Sequence, residues 1–112
     1  MTPKFPLENM NVLVTGGGSG IGLACAKSFY RDGANVTLMG RSEQRLTEAR
    51  SVLEAIDMPG VISTVPGDVA IETDVEKAVD SARLDGSLDI MVASAGRGSL
   101  SPVPATDASE WN

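Results

Sequence analysis

Histidine is absent from the sequence, so neither a serine–histidine nor a cysteine–histidine nucleophile pair can be assembled from these residues. Cysteine is nearly absent. Cys25 stands alone and can neither close an internal disulfide nor build a zinc site by itself. Tyrosine is represented once, by Tyr30. No apolar run approaches the ~20 residues that a membrane-spanning helix needs. The opening MTPKFPLENM lacks the long apolar stretch of a secretory signal. Basic residues are also scarce, nine Lys and Arg against fifteen Asp and Glu, for a net charge of −6. That balance repels phosphate backbones and anionic bilayers, so neither nucleic acid nor a membrane is an expected partner. The charges are scattered, without a block of one sign, and read as a solvated exterior. A reduced, cytoplasmic compartment is the expected location.

What remains is enough for one small globular domain over residues 1–112, with 42% of residues hydrophobic and 21% charged. Apolar periodicity alternates between two modes. Val12–Val14, Val36–Met39, Val61–Val65 and Leu88–Val92 are short β-branched or aliphatic stretches that predict strands. The first two are almost continuously apolar, as in a sheet covered on both faces. Three helical patterns lie between them. The first places Ile21, Ala24, Cys25 and Phe29 on one face and stops at Gly33. The second starts near Ser42, carries Leu46, Ala49, Leu53 and Ile56, and halts before Pro59-Gly60. The third opens on Thr73-Asp74-Val75-Glu76, read as a capping box, and runs through Val75, Ala78, Val79 and Ala82 to about Gly86. Strand and helix in strict rotation predict βαβ units on a parallel sheet.

The first strand runs into Thr15-Gly16-Gly17-Gly18-Ser19-Gly20-Ile21-Gly22, and a helix follows. Glycines at i, i+2 and i+5, the usual dinucleotide fingerprint, are not met: from Gly16 the third slot holds Ile21, and from Gly20 it holds Cys25. Gly16, Gly20 and Gly22 instead satisfy i, i+4 and i+6. Either spacing allows a tight turn and lets bare backbone approach a pyrophosphate at the positive end of the helix. A strand-to-helix bend with five glycines in seven residues favours phosphate cradling over a purely structural turn.

Thr15-Gly16-xxx-Gly20-Ile21-Gly22 resembles the TGxxxGxG motif of the short-chain dehydrogenase/reductase family, and the resemblance extends over essentially the whole chain. It implies a Rossmann-type, doubly wound parallel α/β sheet. Here that sheet would be truncated to about four strands, three helices and the start of a fourth. It also implies a cofactor site built from Gly16, Gly18, Ser19, Gly20, Ile21 and Gly22, with Asp68-Val69 matching the acidic segment that contacts the adenine. Ala93-Ser94-Ala95-Gly96 matches the Asn-Asn-Ala-Gly segment beside the cofactor. Both asparagines are replaced, leaving Ser94, Ala95 and Gly96 as candidate contacts. Trp111 stands where members often carry a tryptophan early in the next helix.

The end of the second strand discriminates between cofactors. An NAD site usually places an acidic residue there for the ribose hydroxyls. This chain has Gly40, Arg41 and Ser42, which resembles the NADP-preferring pattern, with NAD the alternative. Arg41 would meet a 2′-phosphate through charge-assisted hydrogen bonds of ~1.5–3 kcal/mol each. The plainer reading makes Ser42 a helix cap and Arg41 a solvent-facing charge.

The resemblance implies hydride transfer between nicotinamide and a carbonyl or alcohol, with Tyr-x-x-x-Lys as the acid/base and its lysine lowering the tyrosine pKa. Four residues after Tyr30 stands Ala34, so that motif is missing and no catalytic residue is assigned. Family members run well beyond this length, and Asn112 falls short of the family's helical asparagine. Asp107 or Thr106 reads as the cap of a helix that stops within a turn, so a truncated chain is expected. Two functions follow. The first is the cofactor-binding portion of an oxidoreductase, with a carbonyl or alcohol substrate only in a full-length form. The second is a non-catalytic dinucleotide-binding module or sensor, or a subunit completed by another chain. A methyltransferase is disfavoured by Arg41 and the glycine spacing, and homo-oligomerisation stays open.

Overall fold

The computed structural model describes residues 4–18, 20–84 and 86–94. Among these, four strands alternate with three helices: β1 (Asn11–Thr15), α1 (Gly20–Arg31), β2 (Asn35–Gly40), α2 (Glu43–Glu54), β3 (Ile62–Pro66), α3 (Glu72–Arg83) and β4 (Ile90–Ala93). The strands form one parallel sheet in the order β3-β2-β1-β4. The chain thus steps outward from β1 to β3, then returns to the other side of β1. The expected α/β, doubly wound, Rossmann-type parallel sheet is what the chain forms.

Successive side chains of a strand face opposite sides of a sheet, and β1 uses both. Val12 and Val14 pack with Val36 and Leu38 of β2 against Ala26 and Tyr30 of α1 and Leu46, Ala49 and Leu53 of α2. Leu13, pointing the other way, packs with Met39 against Ala78 and Ala82 of α3. All five residues of β1 are buried, which explains its unbroken apolar reading. Burying a side chain such as Leu13 stabilises by about 1.5–3 kcal/mol.

Several sequence expectations need correction in detail. In α1 the buried stripe is Gly22, Ala26 and Tyr30, whereas Ile21 and Ala24 are exposed. Gly22 and Ala26, small residues one turn apart, bring the start of the helix close to the sheet, and the larger Ile21 is turned outward. The proposed capping box is not formed. Helix α3 starts at Glu72, ahead of Thr73, and its N-cap residue Ile71 makes no side-chain cap. Asp74 instead accepts the backbone N–H of Asp68 (2.9 Å), tying the preceding loop to the helix. The helix stops at Arg83, where Leu84 turns to φ 52°. Strand β4 begins at Ile90, not Leu88, because the Asp89 carboxylate takes the Asn11 N–H (2.8 Å) that a strand carbonyl would otherwise accept. Val61 likewise precedes β3 and is exposed.

Other features match their sequence signals. Gly33, at φ 99°, closes α1 in a Schellman arrangement: its N–H donates to the Tyr30 carbonyl and that of Ala34 to the Phe29 carbonyl. Ser42 caps α2, its Oγ accepting the Arg45 N–H (3.2 Å).

Candidate functional site

Parallel pairing sets the C-terminal ends of the four strands side by side. Thr15 is level with Met39 and Ala93, and Gly40 with Pro66. The segments that follow them, residues 16–18 and 20–22, 41–42, 67–69 and Ser94, therefore share one edge of the sheet. Strand order reverses between β1 and β4, and the crevice at such a switch point is where open α/β sheets hold ligands.

The glycine bend is built on close backbone approach. The Gly16 and Gly17 N–H groups both donate to the Met39 carbonyl (2.8 and 3.2 Å), folding the chain back over the end of β2. Gly16 sits at φ 69°, and a Cβ there would lie 2.7 Å from the Ser94 carbonyl oxygen. A Cβ on Gly22 would run into the Gly16 carbonyl oxygen, so the start of α1 can nest against the bend only without a side chain. Gly20 is different. It also adopts a left-handed φ, 61°, but among the described residues a Cβ there would meet nothing within 4 Å. Among the described residues the bend is packed on its sheet side and open beside the first turn of α1. That first turn has N–H groups without intrahelical partners and the positive end of the helix dipole. A bare, amide-rich, open surface of this kind fits a pyrophosphate.

Thr15, which composition alone did not single out as a site residue, anchors the bend. It is 2% exposed. Its Oγ1 donates to the Val92 carbonyl and accepts the Ser94 N–H, both at 3.3 Å, stitching β1 to β4 directly beneath the crevice. A threonine immediately ahead of the glycines was the available signal.

The remaining candidates flank the bend. Gly18 lies against α2, where a Cβ would stand 3.1 Å from the Arg45 Cβ. Arg41 and Ser42 are exposed at the end of β2, and Ser42 is engaged as the helix cap. Asp68 is half-buried. Its N–H is held by Asp74 and its Oδ1 accepts the Ala70 N–H (2.9 Å), so one carboxylate oxygen shapes its own loop. The Gly67 N–H donates to the Gly40 carbonyl (2.8 Å), holding this loop beside Arg41. Val69 and Ile71 are exposed apolar side chains on the same loop. Ile21 is exposed in the first turn of α1. Ser19, Ala95 and Gly96, like Trp111 and Asn112, lie outside the described residues. Tyr30 is far from this edge in role: it is buried, donates its hydroxyl to the Met58 carbonyl (2.7 Å) and accepts the Met58 N–H (3.3 Å).

The family model for short chain dehydrogenases matches residues 10–112, nearly the whole chain. The chain belongs to that family. A glucose 1-dehydrogenase of Gluconobacter oxydans is 40% identical over 94 residues, covering 83% of this chain and 35% of that protein. An uncharacterised oxidoreductase of Staphylococcus epidermidis is 34% identical over 102 residues, covering 89% and 42%. Among solved structures, the L-sorbose reductase of Gluconobacter frateurii complexed with NADPH and L-sorbose superposes with a TM-score of 0.75 at 33% identity. That alignment covers 97% of this chain and 41% of the reductase. The glucose dehydrogenase of Caenorhabditis elegans in its apo form gives a TM-score of 0.76 at 32% identity, covering 82% and 40%. This short chain dehydrogenase sequence therefore spans well under half the length of such relatives.

Proposed function

We propose that residues 1–112 form the cofactor-binding domain of an oxidoreductase that transfers hydride between a nicotinamide dinucleotide and a carbonyl or alcohol, with NADP(H) preferred over NAD(H). The observation that carries this reading is the glycine bend: closed against the sheet at Gly16 and Gly22, open at Gly20, and set at the β1/β4 switch point. In it, the first-turn amides of α1 hold the diphosphate, and Thr15 fixes the bend against β4. Asp68 and Val69 border the adenine, and Ser94, Ala95 and Gly96 are assigned as further cofactor contacts by the family resemblance. Arg41, in place of an acidic residue, favours a 2′-phosphate over free ribose hydroxyls. Bound nicotinamide would supply or accept the hydride. The NADPH bound to the sorbose reductase is consistent with that preference. The working compartment we assign is the cytoplasm, and the partners are the dinucleotide and, in a longer form, a small carbonyl or alcohol.

A second reading is a dinucleotide-binding module without chemistry of its own, or a subunit completed by another chain. In it, as in the first reading, Tyr30 is a packing residue, its hydroxyl engaged with the Met58 carbonyl. Calorimetric titration of the 112-residue chain with NADPH and NADH tests what both share. NADPH binding tighter than NADH, with the difference lost in Arg41→Ala, is the expected result. Indifference to both cofactors rejects both readings. Carbonyl reduction by the chain with NADPH would reject the second alone.

A further inference from the structure

The glycine bend from Thr15 to Gly22 carries no cation of its own. Its neighbour on α2 does. Because Gly18 has no side chain, α2 comes close enough that a Cβ at Gly18 would lie 3.1 Å from the Arg45 Cβ and 3.7 Å from its carbonyl carbon. The root of Arg45 is thus seated on the bend while the residue as a whole is exposed. Its backbone is fixed as well, since its N–H donates to the Oγ of Ser42, the residue directly after Arg41. Two guanidinium groups therefore spring from either side of one capping serine, between the end of β2 and the glycine bend.

Both are chemically available. The ion pairs among the described residues are Arg50–Glu54 and Arg83–Asp80, and they include neither Arg41 nor Arg45. Glu48, the acidic residue one turn beyond Arg45, accepts instead from Gln44 (3.4 Å). Glu43 stands between them in sequence, yet among the described residues it forms no ion pair with either arginine.

We propose that Arg45 is a second specificity-determining cation, holding the 2′-phosphate of the adenosine ribose from the α2 side while Arg41 holds it from the β2 side. This rests on the cofactor reading above. With the diphosphate on the first turn of α1 and the adenine beside residues 67–69, the ribose would lie between Arg41, which follows the Gly40 whose carbonyl holds the Gly67 N–H, and Arg45, rooted on Gly18. A phosphomonoester carries a charge of about −1.5 to −2 and three acceptor oxygens, more than one guanidinium can satisfy. Arginine suits the task because its rigid fork of donors matches phosphate geometry.

The test is calorimetric titration with NADPH and NADH, which share the diphosphate and differ at the 2′ position. Arg45→Met keeps the aliphatic stem and a good helix former while removing the charge. It is expected to weaken NADPH about tenfold, as for losing one charge-assisted contact, and to leave NADH within about twofold. Arg45→Lys, tested beside it, is expected to retain part of the preference, and far-UV circular dichroism of both variants to match the wild type. NADPH affinity unchanged in Arg45→Met, or an equal fall for both cofactors, overturns this inference and leaves the cofactor reading standing. Failure of the wild-type chain to bind either dinucleotide overturns the cofactor reading and this inference with it.

Discussion

Tyr30 and Gly22 sit two turns apart on α1 and show how differently single residues were written into the sequence. The phenol was suspect as a catalyst only until its spacing to a lysine failed, and burial then assigns it a structural role: its hydroxyl is both donor and acceptor to the backbone of Met58. Tyr30→Phe should cost about 1–3 kcal/mol in urea unfolding, since the Met58 amide and carbonyl lose a partner. Nucleotide affinity should stay unchanged, and a loss of binding at unchanged stability would contradict the structural role. Gly22 was legible as part of a spacing, yet its reason is visible only in three dimensions, where the Gly16 carbonyl occupies the space of a Cβ. The role of Arg45 was illegible for the same kind of reason. Its proximity to Gly18 depends on how α2 docks, and no local pattern encodes that.

At the scale of elements, the strands were read from apolar continuity because β1 and β2 are covered on both faces, and that pattern survives any small error in boundaries. Helix faces were harder. The buried stripe of α1 is Gly22, Ala26 and Tyr30, and a glycine, an alanine and a hydroxyl-bearing tyrosine do not stand out in an apolar pattern as Ile21 and Phe29 do. The start of α3 departs from the capping-box pattern because Asp74 accepts from the N–H of Asp68, in the loop six residues earlier, rather than acting as a cap. One element-level network had no sequence signal. At the N-terminal edge of the sheet, Asn11 donates to the carbonyls of Arg83 (2.9 Å) and Ser87 (3.1 Å), and it accepts from Asn35 (3.0 Å). Asn35 in turn accepts the Val61 N–H (2.8 Å). Two side chains thereby join the beginnings of β1, β2 and β3 to the end of α3. Asn11→Ala strips partners from part-buried carbonyls and should destabilise by on the order of 2–3 kcal/mol, read from chemical denaturation. A cost below about 0.5 kcal/mol would show that solvent replaces the network.

For the whole molecule, one edge of the sheet stands out. Among the described residues β4 pairs only with β1, and Met91 on it is 43% exposed. A strand edge of Ile-Met-Val-Ala, free of charge and proline, is a template for pairing with another strand. The 112-residue chain should therefore self-associate with rising concentration in size-exclusion chromatography, and Met91→Glu should shift it toward monomer. A wild-type monomer with a sharp, high thermal transition would contradict this. Ligand binding should also raise the transition, by about 2.7 kcal/mol of stability at a hundredfold excess over Kd.

The central claim is that the amides between Gly16 and Leu23 receive a diphosphate, and amide chemical shifts report on that site by residue. In a ¹⁵N-labelled chain titrated with NADPH, the largest shifts should fall on Gly16–Leu23, with Arg41 and Asp68 following. Gly22→Ala should abolish them by displacing the start of α1 from the bend. Saturable shifts that map to another surface, with Gly16–Leu23 unmoved, would contradict the account.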